Sequence, residues 1–141
     1  MLAIERLSYE DAIVLIEGAE KKAQEIGVLM CIAITDESGF LIAFKRQDGG
    51  KPLSTTLAQD KAHTAAISRK STEAYNKACV PGNLTFGIHT SAGGRFSTVG
   101  GGIPVELNGA IVGAIGLSGG APEQDIACAQ AGVEHFLKTR S

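Results

Sequence analysis

The chain has 141 residues, 44% of them hydrophobic and 20% charged, and a formal net charge of −2. This balance suits a single globular domain over residues 1–141, large enough to form a core without disulfide or metal staples. It excludes two partner classes. With no Lys/Arg cluster and no aromatic–basic alternation no nucleic acid is expected, and with no apolar run near the ~18 residues of a spanning helix no membrane is expected.

In chain order, residues 8–27 predict a helix. Ser8 suits its N-cap and Asp11 its first turn, and Ala12, Ile16, Ala19, Ala23 and Ile26 form one apolar stripe. Gly27 is a natural stop. Val28–Thr35 is a continuous apolar run of the kind seen in buried strands. Asp36–Gly39 has turn chemistry, and Phe40–Lys45 is expected to return antiparallel. Gln47–Pro52 reads as a loop. Residues 53–70 predict a second helix with a shallow face of Ala58, Ala62, Ala65 and Ala66. Ser71–Ala78 predicts a short third helix, and residues 79–97, with Pro81-Gly82-Asn83 and Gly93-Gly94, an irregular excursion.

Two glycine clusters, Gly100–Gly102 and Gly119–Gly120, bracket an apolar run broken by Asn108-Gly109. Asn-Gly favours a two-residue hairpin because both positions take positive φ. A last helix over 122–138 follows, with Pro122 in its first turn and Glu123 and Asp125 at its positive end. Hairpin connections give an antiparallel sheet with helices on its faces. The expected fold is α+β with a five-stranded antiparallel sheet: the N-terminal pair plus about three C-terminal strands.

Several constellations carry candidate chemistry. Gly116-Leu117-Ser118-Gly119-Gly120 matches the G-x-S-x-G of hydrolases. Its would-be partners Asp125 and His135 lie ten residues apart on one helix. That is about 15 Å along the axis, too far for a triad. The same glycine turn opens a helix N-terminus, which can take an anion. Glu123 and Asp125 compete there and can cap their own helix. Asp60, His63 and Thr64 share one face of the second helix beside Lys61. His89 and Arg95 fall in the excursion, where a rigid scaffold often carries function. His63, His89 and His135 have no metal-binding spacing. Cys31, Cys79 and Cys128 are odd in number and widely separated, so they read as reduced thiols, mostly buried. With no leader pattern at the N-terminus, a cytoplasmic location is expected.

Taken together, Asp60–Ala65, then Phe96 with Gly100–Pro104, then Gly113–Gly120 with Glu123–Asp125, resemble the GlcG / HbpS / PduO C-terminal-domain family, often described as heme-degrading. The resemblance runs from the first helix to the last and matches a stand-alone member. It implies a profilin-like fold, assembly as homodimers or larger rings such as octamers, and heme binding in some members. It also implies links to glycolate, glycerol or diol metabolism. In the PduO-type module the axial histidine is expected on the first helix, and residues 8–27 hold none. Ligation would then fall to His63 or His89.

The resulting expectation is a small-ligand-binding protein for heme, another tetrapyrrole or a related anionic cofactor. Lys61, His63 and Thr64 face the ligand, the backbones of Gly100, Gly101, Gly119 and Gly120 approach it, and Arg95 pairs with a carboxylate. His63 is the candidate heme ligand. The alternatives are a small lyase or isomerase using Lys61 or His63 as general base on a carboxylate metabolite, and a structural assembly module.

Overall fold

Ser8 and Asp11 start the first helix reciprocally. The Ser8 hydroxyl accepts from the Asp11 N–H (3.1 Å) while the Asp11 carboxylate accepts from the Ser8 N–H (2.9 Å). This helix, α1, spans Tyr9–Ile26 and ends at Gly27 in the left-handed conformation (φ 71°). The computed structural model describes residues 1–140. The remaining elements are β1 (Cys31–Asp36), β2 (Leu41–Arg46), α2 (Pro52–Ser68), α3 (Thr72–Ala78), two short 3-10 turns in the excursion (Ile88–Thr90 and Ala92–Gly94), β3 (Gly102–Leu107), β4 (Ala110–Ser118) and α4 (Pro122–Thr139). Asn108 and Gly109 both take positive φ (52° and 81°) and join β3 to β4 as a tight hairpin.

The sheet is antiparallel throughout, in the order β2-β1-β4-β3. Side chains alternate across it by size. Ile32, Ile34, Ile115 and Leu117 share one core with Leu15, Ile16 and Phe136 of α1 and α4. Cys31, Ala33 and Ala114 pack instead with Ala58, Ala62, Ala65 and Ala66 of α2. The result is three layers, with β1 buried along its whole length between them. Large residues therefore fill the α1/α4 side, at about 1.5–3 kcal/mol for each fully buried Leu or Ile. Small ones let α2 lie almost on the sheet backbone. A Cβ at Gly116 would strike the Ala58 carbonyl and lie 2.5 Å from the Ala62 nitrogen.

The sheet has four strands, not the five expected. Two strands, β3 and β4, follow the excursion where about three were expected. Just before β3 the chain bonds to α2: the Ser97 N–H donates to the Thr64 hydroxyl at 2.8 Å. Gly101 then turns with φ 131° before β3 begins. These residues connect α2 to the sheet edge and do not extend it. Val28–Met30 also stays outside β1. The Val28 N–H returns to the Ala23 carbonyl as part of the α1 exit, and the Met30 N–H goes to the Gln47 side chain.

Candidate functional site

Lys61, the Gly100–Gly102 bend and the Gly119–Gly120 bend do meet, as expected, but the protein itself fills their meeting point. Lys61 is 1% exposed. Its ammonium donates to the Leu117 carbonyl (2.9 Å) and to Asp125 Oδ2 (3.0 Å). Asp125 Oδ1 accepts from the Gly120 N–H (2.9 Å). The glycine turn, which could take an outside anion, is thus filled by the protein's own carboxylate, as the capping alternative for Asp125 has it. Burial dominates both groups, pushing the Lys61 ammonium down and the Asp125 carboxyl up, against their mutual attraction.

The glycines serve this packing. A Cβ at Gly101 would lie 2.6 Å from the Leu117 carbonyl and 3.0 Å from Lys61 Nζ. One at Gly100 would meet Ile126, one at Gly119 the Leu29 carbonyl, and one at Gly120 the Gln124 side chain. Thr64 is also internal, fully buried, donating to the Arg95 carbonyl (3.3 Å) while it holds Ser97. Lys61 and Thr64, expected to face a ligand, have internal roles in this structure. They anchor the excursion and the α4 start to α2.

The open site lies one helical turn away. A cleft of about 370 Å3 is bounded by the β1–β2 turn and α2. Thr35, Gly39, Phe40, Leu41, Thr56, Gln59, Asp60 and Arg95 line it. Arg95 reaches it from the excursion, its Nε 3.0 Å from Asp60 Oδ1. Its Nη nitrogens make no hydrogen bond among the described residues, so part of its donor fork stays available. His63, one turn beyond Asp60, is half-buried, and its Nδ1 donates to the Gly39 carbonyl (2.9 Å). In that tautomer Nε2 keeps its lone pair.

Thr35 has no counterpart in the sequence reading. It is 2% exposed, and its hydroxyl is the one buried side-chain polar atom among the described residues without a hydrogen-bond partner. A β-bulge sits at this point. Ile34 pairs with Ala43 but Thr35 with Leu41, so one residue of β2 is skipped. Bulges re-aim side chains beside functional sites. The only sequence signal was a threonine ending an apolar run.

The other expected residues lie elsewhere. His89 does not line the cleft; its Nδ1 lies 3.2 Å from the Cys79 sulfur. Ser118 bonds Ser54, Asp125 pairs with Lys61, and His135 lies beside Glu17 at 3.9 Å, so these three do not form a hydrolase triad. Cys31 and Cys128 are buried free thiols, while Cys79 is partly exposed. Among the described residues no group of three or more His, Cys, Asp or Glu could hold a metal ion, and no helix is long and apolar enough to cross a membrane.

A family model described as haem degrading protein HbpS-like matches residues 7–134. The chain belongs to that family. It is 34% identical to an uncharacterized 15.0 kDa protein from the dhaT-dhaS intergenic region of Citrobacter freundii, over 85% of this chain and 84% of that protein. Among solved structures it is similar to protein ORFY of Klebsiella pneumoniae (TM-score 0.95, 29% identity, 97% of this chain and 94% of the other). It is also similar to PduOC in its heme complex (TM-score 0.88, 30% identity, 92% and 94%). The family resemblance drawn from the Asp60–Ala65 and glycine motifs therefore holds, and so does the α+β antiparallel architecture.

Proposed function

We propose that this protein binds a small carboxylate-bearing ligand, heme or another tetrapyrrole foremost, in the cleft between the β1–β2 turn and α2. The Thr35 hydroxyl carries the proposal. A buried hydroxyl without a partner costs about 1–3 kcal/mol, which an acceptor on a ligand would relieve. Arg95 suits a carboxylate with its free nitrogens, while Asp60 holds its Nε in place. Phe40 and Leu41, both exposed, offer an apolar wall beside this polar end. That combination of one charged edge and one apolar flank fits the rim of a tetrapyrrole.

The donor set also fits heme at one position. α1 has no histidine, and His63 is anchored through Nδ1 to Gly39 of the cleft lining, with no hydrogen bond at Nε2 among the described residues. An anchored imidazole of this kind is suited to iron. Heme, when bound, supplies a redox-active iron. The family's description and the heme complex of PduOC support the choice of ligand. In the same proposal the protein works as a homo-oligomer in the cytoplasm. Exposed Leu84 and Phe86 on the excursion support self-association.

A second reading, a small lyase or isomerase acting on a carboxylate metabolite, has one observation in its favour. Burial lowers the Lys61 ammonium toward a usable base. The 1% exposure of that side chain weighs against it.

Titration of the purified protein with hemin, followed at the Soret band, tests the proposal. Saturable one-to-one binding whose Soret position changes in His63→Ala is expected. Absence of saturable binding, with a carboxylate metabolite bound instead, would favour the enzyme.

A further inference from the structure

The pairing of Cys79 with His89 lies outside the cleft and has no part in the function proposed above. Cys79 closes α3 and is partly exposed; His89 is exposed. The sulfur and His89 Nδ1 are 3.2 Å apart, ten residues apart in sequence. Two further bonds hold that loop against the end of α3. Thr85 Oγ1 donates to the Ala78 carbonyl (2.8 Å) and Asn83 Nδ2 to the Lys77 carbonyl (3.2 Å). These bonds bring the loop that carries His89 against the end of α3, where Cys79 sits. Between Glu73 and Glu106 the sequence carries Lys77 and Arg95 but no acidic residue. A partly exposed thiol within hydrogen-bond distance of an exposed imidazole is the setting of a reactive cysteine.

We propose that Cys79 is a nucleophilic thiol that exchanges with a low-molecular-mass disulfide, with His89 as its base. The Cys79 proton moves from sulfur to Nδ1. The thiolate attacks one sulfur of the disulfide, the S–S bond breaks, and a new bond joins Cys79 to that sulfur. The departing thiolate takes the proton from Nδ1, so one disulfide and one thiol enter and one mixed disulfide and one small thiol leave. An internal disulfide is not available to this cysteine. Cys31 and Cys128, the other two thiols, are 0% exposed and belong to separate core clusters. The partner sulfur must come from outside the fold, and the partly exposed position admits a small molecule.

The test uses the whole chain in its native state. Ellman's reagent and glutathione disulfide are each added, and the modified cysteine is mapped by mass spectrometry. One thiol per chain is expected to react in the first phase, at Cys79, and Cys79→Ser removes that phase. His89→Asn should slow it by about tenfold, as expected for loss of an adjacent base. Added imidazole should restore part of the rate. Circular dichroism of both variants checks that the fold is intact. First-phase labelling of Cys31 or Cys128, or an unchanged rate in His89→Asn, would overturn the proposal. So would a Cys79–Cys79 link between chains in place of the glutathione adduct.

Discussion

Lys61 Nζ lies 3.0 Å from Asp125 Oδ2, and both side chains are almost wholly buried (1% and 3% exposed). The pair joins α2 to α4 across 64 residues of sequence, and Lys61 also holds the Leu117 carbonyl at the end of β4. It fills the space that a ligand would need between the two glycine bends.

Removing one partner leaves a buried charge with nothing to balance it. Lys61→Met is expected to lower stability by about 3–5 kcal/mol. The double variant Lys61→Met with Asp125→Asn should recover most of the loss, since Asn can still accept from the Gly120 N–H. Chemical denaturation of the set measures this. Equal stability of Lys61→Met and the natural chain would show that the ion pair does not hold the fold.

The same pair sets a pH dependence. Burial raises the Asp125 carboxyl above its ordinary 3.8. From pH 3.8 up to the raised value, the folded state then holds more protons than the unfolded chain, so stability falls as pH rises. Lys61 is lowered from 10.5, so in its own window below 10.5 the unfolded chain holds more protons and stability rises with pH. In Asp125→Asn the acid-side slope should vanish. The lysine window should also widen downward, because the charge that props up Lys61 is gone. Denaturation midpoints between pH 4 and 10 compare the two proteins.

Cys128 should act at the alkaline end. Burial first, and the nearby Asp125 charge second, raise its thiol from 9.0 to about 11. The unfolded chain loses this proton first, so stability should fall as pH climbs from 9 toward 11, by roughly 3 kcal/mol in all. Cys128→Ala should be less stable at neutral pH, from the space it opens, yet flatter over that range. Thermal unfolding at pH 8 to 11 measures the slope.

Much of the fold was legible because its signals are local. Ser8 with Asp11, Gly27, and Asn108 with Gly109 act over a few residues, and each element they bound formed within a residue or two of its expected ends. The shallow alanine face of α2 was legible as well. Small residues admit any backbone, however, and sequence alone did not say whose. Gly116 and Gly102, pressed against the backbones of Ala58 and Lys61, show that it is the sheet. Lys61 and Asp125 were each visible as chemistry, but their contact is purely tertiary. The strand count was not legible: two strands follow the excursion, which is tied to α2 by the Ser97–Thr64 bond between residues 33 apart. Thr35 was least legible of all. Its isolation depends on a skipped residue in β2, a feature of tertiary pairing.

The central claim is that the Thr35–Arg95 cleft takes a carboxylate-bearing ligand. Thr35→Val tests it most directly, because one substitution has two opposite consequences. It removes a buried hydroxyl that has no partner, so the free protein should be as stable as before or more so. It also removes a donor to the ligand, so affinity for hemin should fall about tenfold, as for one lost hydrogen bond of roughly 1.5 kcal/mol. Hemin affinity measured on the natural chain and Thr35→Val, beside their melting temperatures, gives both readouts. Weaker binding with undiminished stability is the predicted result; undiminished binding in Thr35→Val would contradict the account.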